Sequence, residues 1–239
     1  MRQAVFLIQT ADRKGLLAEI TGFFYSRQFN ILLCRQYTDV RENMYFMRLV
    51  VDLSADATRS RLEEEFGELA RKLDMFLSGH LPEIDYKSIE VKAGVVTRAA
   101  SATVLGVFAE KIENMIVASA DLSNSDKTDG FLKKTKAFTK GDFSGKFFQA
   151  GVSELTMACV ANGMALHGGV IPACGTFFVF SDYMKPAVRL SALMRLHVIY
   201  VWTHDSFRVG EDGPTHQPVE HEAQIRLMEH LKNHHDERS

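Results

Sequence analysis

Apolar strands alternate with amphipathic helices through the second half of the chain, and this alternation restricts the possible folds more than any other sequence feature. The strand patterns are "NMIVASADLS", "FFQAG", "GVIPACGTFFVF" and "HVIYVWT". The helix patterns are a small-residue segment that becomes helical from about Thr97, then "VSELTMACVANGMALHG", "SDYMKPAVRLSALMRL" and a final "PVEHEAQIRLMEHLKNHH". Strands that are apolar throughout are typical of a sheet buried on both faces. The sequence therefore predicts an α/β fold with a doubly wound, mostly parallel sheet.

The first half has a different order of elements. A strand "AVFLIQT" precedes an amphipathic helix within "DRKGLLAEITGFFYSRQF", two strands follow with "RENM" as the hairpin turn between them, and a second helix ends near Met75. This strand–helix–strand–strand–helix order predicts an α+β unit of the ferredoxin-like kind, which would need a fourth strand. The next segment, "FLSGHLPEIDYKSIEVKAG", makes a poor strand, so we expect this unit to be incomplete.

Composition excludes several classes of protein. A formal net charge of −2 over 239 residues gives no reason to expect a nucleic-acid partner or a membrane surface. No apolar run approaches the roughly 20 residues that cross a bilayer, and the N-terminal run is too short for a signal peptide. Three scattered cysteines show no metal-binding spacing and suit reduced thiols, so we expect a cytoplasmic protein with no metal site of its own.

One loop carries an unusual density of polar groups. The stretch "THDSFRVGEDGPTHQPVE" runs from Thr203 to Glu220 and combines ionisable side chains with two glycines and two prolines. Glycine and proline at this density are incompatible with a regular helix or a central strand. A loop of this composition following an apolar strand predicts a site that binds a polar ligand.

Residues 4–73 resemble an ACT domain, in particular the N-terminal ACT domain of formyltetrahydrofolate deformylase. The resemblance rests on "DRKGLLAEIT", "FNIL", "YTD" and "NMYFMRL" in that order. It implies an ACT domain over residues 1–77 that forms a homodimer and binds a small effector, often an amino acid, at the dimer interface. The residues themselves leave a simpler alternative open, in which Asp12 caps the helix and Asn30 opens a strand.

Residues 81–229 resemble the pyrimidine-binding domain of transketolases. Five motifs occur in that family's order: "VTRAAS", "SADLSNS", "GVSELTMACVANGMALHGG", "GTFFVFSDYMKPAVRLSALM" and the loop described above. The resemblance implies a domain over residues 78–239 that binds thiamine diphosphate and acts on sugar phosphates of the pentose phosphate pathway. It also implies that the polar loop reaches into the substrate channel.

The resemblance assigns the central chemical role to Glu154. In this family a glutamate at that position bonds the aminopyrimidine ring nitrogen, which drives the imino tautomer that deprotonates the thiazolium C2 atom. Glu154 follows a strand and begins a helix, and ligands of α/β folds bind at such strand ends. On the residues alone, an acidic side chain that complements the helix dipole is an equally good interpretation.

The remaining site residues also come from the resemblance. Phe177, Phe180 and Tyr183 match the aromatic box around the aminopyrimidine, whereas Phe178 matches a position that is merely apolar and is predicted to lie in the core. Asp121 matches a residue near the cofactor at the subunit boundary. The substrate side is formed by Arg98 and Ser125 for the phosphate, Asp212 for a hydroxyl, and His204 and His216 for the reacting carbonyl and its neighbours.

Parts of a complete transketolase are missing from the sequence. The GDG motif and the asparagine pair that hold the diphosphate through Mg²⁺ do not occur, nor do the upstream channel histidines or anything after the helix near Lys232. We therefore expect a truncated domain, inactive alone, whose Mg²⁺ comes from a domain that this chain lacks.

Two functions of different class follow from this. One is a half-site that transfers ketol groups together with a complementing transketolase N-terminal chain. The alternative is a non-catalytic ACT-containing regulatory or binding module, or a fragment from a rearranged fusion gene without activity. A deformylase is nearly excluded, because the hydrolase domain with its catalytic histidine and aspartate does not occur.

Overall fold

The chain forms two compact units, residues 1–81 and 82–239, in a computed structural model that describes residues 2–53, 59–205 and 213–232. The first unit contains an antiparallel sheet and the second contains a parallel sheet. No helix in these described ranges is long and apolar enough to cross a membrane.

The first unit has the order of elements that the sequence predicts. Its elements are β1 (Arg2–Ala11), α1 (Leu16–Ser26), β2 (Asn30–Asp39), β3 (Met44–Leu53) and α2 (Arg59–Ser78). Strand β3 lies between β1 and β2 and is antiparallel to both, as in a ferredoxin-like unit. Between α2 and residue 96 the structure has no strand, so the expectation of a missing fourth strand is confirmed and β1 is an edge strand.

Helix α1 starts later than a cap at Asp12 would require. Gly15 precedes the helix with φ +86, a left-handed conformation that favours glycine. The backbone N–H of Asp12 donates to the carbonyl of Asn43 at 2.9 Å, and no side chain caps the helix. The glycine turn therefore starts α1, and the capping interpretation of Asp12 is wrong.

One face of this small sheet is covered by helices. Leu16, Ile20 and Phe24 of α1 are fully buried against Leu49 and Val51 of β3. Phe66 of α2 completes this core through ring contacts with three other phenylalanines, which are Phe6, Phe23 and Phe24. The opposite face of the sheet is open.

The second unit is the doubly wound α/β domain that the alternation predicts. Its elements are α3 (Thr97–Lys111), β4 (Met115–Ser119), α4 (Ser123–Asp126), α5 (Asp129–Leu132), β5 (Phe147–Gln149), α6 (Glu154–His167), β6 (Ile171–Phe177), α7 (Ser181–Leu193), β7 (Ile199–Thr203) and α8 (His221–Arg226). The strand order is β5-β4-β6-β7, and all three pairings are parallel.

Helices cover both faces of the parallel sheet. On one face α6 and α7 bury Met157, Met184 and Val188 against Ala118 and Cys174. On the other face, Leu105 of α3 and Phe131 of α5 pack against Val117, Phe147 and Ala173. The buried thiol of Cys174 has its pKa raised to about 12 by burial, so it belongs to the core.

One expectation about the helices is wrong. The last helix among the described residues is α8, which ends at Arg226, whereas the predicted helix continues toward the histidines near residue 234, which lie outside the described residues. His230 has φ +68, and Met228 and Leu231 turn back onto the α6–α7 core, so tertiary packing ends the helix. The segment between β4 and β5 contains two one-turn helices, α4 and α5.

Candidate active site

The predicted site residues follow the carboxyl ends of all four parallel strands. Because parallel strands end at one edge of a sheet, these side chains gather along that edge. Their positions are Asp121 and Ser125 after β4, Glu154 after β5, Phe177, Phe180 and Tyr183 at and after β6, and His204 after β7. Arg98, in the first turn of α3, reaches the same edge through its contact with His204.

Glu154 is the first residue of α6 and is buried, with 7 % of its surface exposed. Ser153 precedes it, but the Ser153 hydroxyl donates to the carbonyl of Ala150 at 2.9 Å instead of capping the helix. No residue in the described ranges donates a hydrogen bond to the Glu154 carboxyl group. Neither carboxyl oxygen is among the fully enclosed atoms without a partner, so both keep access to the surface, and a ligand with a ring nitrogen or N–H group can pair with them.

An aromatic cluster surrounds Phe177 and Phe180. The two rings stack with centroids 5.7 Å apart and an interplanar angle of 7°. His204 lies against Phe177 with ring centroids 3.6 Å apart, while Tyr183 and His216 contact Phe180 at 6.0 and 5.4 Å. Five predicted site residues therefore form one surface that suits a flat heterocycle.

Phe178 lies outside this cluster, as predicted. It is buried and stacks on Trp202 with centroids 5.4 Å apart. Residues Phe178–Phe180 form a 3-10 turn directly after β6, and this turn sends Phe178 toward Trp202 while Phe177 and Phe180 stack on each other.

The contact between Arg98 and His204 fixes the state of the histidine. The guanidinium Nη1 of Arg98 lies 2.8 Å from His204 Nε2, and His204 Nδ1 lies 3.0 Å from the hydroxyl of Thr203. Arginine can only donate, so Nε2 is the acceptor and the ring proton sits on Nδ1. In this geometry His204 is neutral, and Arg98 holds its orientation.

The loop after β4 carries Asp121 and Ser125 on an unusual backbone. Asp121 is exposed and has φ +64, a left-handed conformation that aspartate adopts more readily than most residues. Ser125 is exposed in α4, and neither side chain bonds to another residue in the parts of the chain described. Both side chains are therefore available to a ligand.

The same loop is held by Asp126, which the sequence interpretation missed. Its carboxyl group is fully buried and accepts hydrogen bonds from the Ser119 hydroxyl at 2.7 Å and from the Thr128 backbone and hydroxyl at 2.8 and 2.7 Å. Gly175 lies directly beneath, where an added Cβ would stand 2.4 Å from Thr128 Cγ2. This network fixes the backbone that presents Asp121 and Ser125.

Of the polar loop, residues 203–205 and 213–220 are described. His216 lies on a turn closed by a 3.1 Å bond from its N–H to the Gly213 carbonyl, and its Nδ1 is 2.9 Å from the Thr215 hydroxyl. Asp212, predicted on the substrate side, lies outside the described residues.

A second cluster that sequence analysis missed joins α7 to α8. The buried His221 has Nε2 3.1 Å from an Asp182 oxygen, and the other Asp182 oxygen accepts from Lys185 Nζ at 2.8 Å. Lys185 lowers the pKa of Asp182 by this hydrogen bond. Asp182, Glu220 and His221 have ligand atoms close enough for a metal ion, but the Lys185 ammonium group already occupies Asp182.

The fold defines an α/β domain with a parallel sheet and a cluster of polar and aromatic residues at its strand ends, and comparison with known proteins gives its family. Residues 93–234 match the family model of the transketolase pyrimidine-binding domain, and residues 4–67 match the ACT domain model. The chain therefore belongs to the transketolase pyrimidine-binding family, with an ACT domain before that region.

Curated relatives and solved structures agree with this assignment. A transketolase of Bacillus subtilis is 47 % identical over 179 residues, covering 74 % of this chain and 26 % of the relative. A transketolase of Halalkalibacterium halodurans is 46 % identical over 223 residues, covering 91 % and 33 %. The transketolase structure from Leishmania mexicana is similar with a TM-score of 0.65 and 36 % identity, covering 71 % and 26 %. The chain thus spans about a quarter to a third of the length of these relatives.

Proposed function

We propose that this chain supplies the pyrimidine half-site of a thiamine diphosphate-dependent ketol transferase, and that another chain supplies the diphosphate and Mg²⁺ domain. The observation that carries the proposal is Glu154, a largely buried residue at the strand ends of a transketolase-family domain, whose carboxyl group has no hydrogen-bond donor in the described chain. A glutamate that only complements the helix dipole works equally well on the surface. The burial of Glu154 therefore favours a ligand-binding role over a helix-dipole role.

The chain's own groups suit the pyrimidine end of the cofactor. Thiamine diphosphate, when bound, supplies a C2 carbanion that carries the ketol group. Glu154 would hold a proton against the ring nitrogen of the aminopyrimidine. The cluster of Phe177, Phe180 and Tyr183 would offer ring faces to the heterocycle and exclude water from it, with stacking worth about 1 kcal/mol beyond buried area.

The substrate side follows from the polar groups near this cluster. Sugar phosphates need cations for the phosphate and hydrogen-bond partners for hydroxyls. We assign the phosphate to Arg98 and Ser125, and the carbonyl and its neighbouring hydroxyls to His204, His216 and Asp212. Arg98 Nε is buried without a protein partner, so it can donate to a phosphate while Nη1 orients His204.

The proposal predicts that the chain alone binds thiamine diphosphate weakly and transfers no ketol groups. Stacking and one carboxyl group contribute about 3–4 kcal/mol, which corresponds to millimolar affinity at best. Calorimetry with thiamine diphosphate and Mg²⁺ measures this directly. Adding the separate diphosphate domain of the Bacillus subtilis relative is expected to tighten cofactor binding at least about 100-fold. The mixture is also expected to transfer ketol groups, which is measured as the formation of product from sugar phosphates.

Two results would contradict this prediction. Low-micromolar binding by the chain alone would reveal a diphosphate site within it. A mixture that binds the cofactor no better than the added domain does by itself would show that the half-site is vestigial.

The second candidate function is a regulatory or binding role for the ACT domain, and the observation that favours it is the unpaired edge of β1. An edge strand presents a row of free backbone N–H and C=O groups that a second copy can pair with. We also propose a domain junction at residues 77/78, and a small effector at the interface of such a homodimer.

Self-association tests this role. Sedimentation velocity of the full chain is expected to show dimers at tens of micromolar, because pairing of two β1 edges would join two sheets into one. If the chain stays monomeric over that concentration range, the proposed dimer is wrong, and so is the proposed effector site at its interface.

A further inference from the structure

The open face of the N-terminal sheet exposes several large apolar side chains. Helices α1 and α2 cover the face that carries Leu49 and Val51, so the alternate residues point away from them. Leu7 is 77 % exposed, Tyr37 64 % and Val5 51 %. The uncovered face of an antiparallel sheet is normally polar, and a contiguous apolar patch on it marks an interaction site.

Two arginines stand in the middle of this face. Arg35 of β2 and Arg48 of β3 are directly opposite each other in the strand register, and Leu7 of β1 is opposite Arg48 on the other side. Like charges directly opposite one another destabilise a sheet. Neither guanidinium forms an ion pair with any carboxylate of the described residues, so this cost is not offset within them.

Aromatic rings lie beside the arginines. Tyr37 and Phe46 are the next outward-facing pair along the same strands, and their rings stack with centroids 6.3 Å apart. We call these five residues the open-face cluster: Leu7, Arg35, Tyr37, Phe46 and Arg48. They line a shallow groove of about 490 Å³ on the sheet surface.

We propose that the open-face cluster binds a protein segment that presents one carboxylate between apolar side chains. Paired guanidinium groups match the two oxygens of a carboxylate, and such charge-assisted bonds are the strong ones. The composition of the cluster also resembles the core of a protein interface, which is enriched in tyrosine, phenylalanine and arginine and depleted in acidic residues. This site is independent of the proposed ketol transfer and of pairing at the β1 edge.

Charge and shape favour this occupant over two others. A second copy docked face to face would bring four arginines together, and like charges brought together across an interface cost several kcal/mol. A small molecule is usually enclosed over most of its surface, which a shallow groove on an open sheet does not allow. A peptide segment covers more of the apolar face and delivers the missing negative charge.

The test uses the full chain, uniformly labelled with ¹⁵N, and a defined peptide. The peptide is acetylated and amidated, seven residues long, with one glutamate between two leucine–phenylalanine pairs and a serine at each end. The expected result is chemical-shift changes confined to β1, β2 and β3, saturating below about 1 mM. The same peptide with glutamine in place of glutamate is expected to bind at least about tenfold more weakly, since it loses the charge-assisted bonds.

A matched pair of variants locates the binding. Arg35→Gln combined with Arg48→Gln is expected to weaken the glutamate peptide at least about tenfold and to leave the glutamine peptide unchanged. Lys14→Gln combined with Arg41→Gln removes the same charge from exposed positions of the same unit and should leave both affinities unchanged.

Three results of the peptide titrations would overturn the proposal. They are equal binding of the two peptides, shift changes outside the N-terminal strands, and no binding of the glutamate peptide at about 1 mM. A fourth concerns the occupant: if the Arg35/Arg48 variant abolishes self-association of the full chain, the face belongs to a second copy and the proposal is wrong.

Discussion

Replacing Glu154 with glutamine is expected to lower ketol transfer at least about 100-fold in the assembly reconstituted with a diphosphate domain. Proton transfer by a positioned carboxyl group is typically worth a factor of 10² to 10⁴, and an amide cannot accept the ring proton. The measurement is turnover with saturating cofactor and sugar phosphates, with cofactor occupancy checked by calorimetry.

The same variant separates a functional glutamate from a structural one through stability. A glutamate that merely complements the dipole of α6 stabilises by about 0.3–1 kcal/mol, so glutamine should then cost that amount. Glu154 instead has only 7 % of its surface exposed and receives no hydrogen bond in the described chain, so an amide in its place loses no partner and removes a partly desolvated charge. We therefore expect Glu154→Gln to unfold at an equal or higher urea concentration than the natural chain.

Two companion variants complete this test. Glu154→Asp keeps the carboxyl group and its charge but shortens the side chain by one methylene. The carboxyl group then lies farther from the ring nitrogen of the cofactor, so turnover should fall. Glu90→Gln makes the same charge change at an exposed position of the same unit and should alter neither turnover nor stability. Near-normal turnover of Glu154→Gln, together with a lower unfolding midpoint, would show that Glu154 only supports the helix.

The fold was predictable where a local pattern coincides with packing. The alternation of apolar strands and helices gave the parallel sheet, because a strand buried on both faces must be apolar on both. The poor strand pattern of the segment after α2 correctly predicted that the first sheet has no fourth strand. The last helix was not predictable, because its periodic pattern continues past Arg226 while Met228 and Leu231 turn back onto a core formed some 40 residues earlier.

Several of the predicted site residues lie together in space, but their contacts could not be predicted from the sequence. The resemblance placed Phe177, Phe180 and Tyr183 together and left Phe178 in the core, and the ring contacts agree. The bond between Arg98 and His204 spans 106 positions along the chain, and no local pattern encodes it. The state of His204 therefore follows only from the three-dimensional arrangement.

Asp126 shows most clearly what sequence cannot supply. In "SNSDKTD" it reads as one more polar residue of a surface loop, since aspartate is rarely buried. Its burial becomes intelligible only when Ser119 at the end of β4 and Thr128 beyond α4 converge on it as donors. A folded protein tolerates a buried carboxylate when both of its oxygens accept hydrogen bonds, as they do here.

Replacing Asp126 with alanine is expected to lower the free energy of unfolding of the second unit by about 3 kcal/mol. The change strands the Ser119 hydroxyl and both Thr128 donors, and a buried donor without a partner costs about 1–3 kcal/mol. The sum is less than additive, because the two hydroxyl groups can rotate toward other acceptors. Trp202, the only tryptophan of the chain, stacks on Phe178 and Tyr200 in this unit, so its fluorescence in urea follows the loss.

Asp142 provides a matched control for this prediction. Like Asp126, it accepts from the backbone N–H and the hydroxyl of the residue two positions later, here Ser144 at 3.0 and 2.5 Å, but it is exposed. Water replaces the lost carboxylate there, so Asp142→Ala should lower stability far less. Asp126→Asn keeps one oxygen as acceptor, and the hydroxyls can accept from its amide, so it should recover more than half of the loss. Equal losses for Asp126→Ala and Asp142→Ala, or for Asp126→Ala and Asp126→Asn, would mean that the buried network does not hold the loop that carries Asp121 and Ser125.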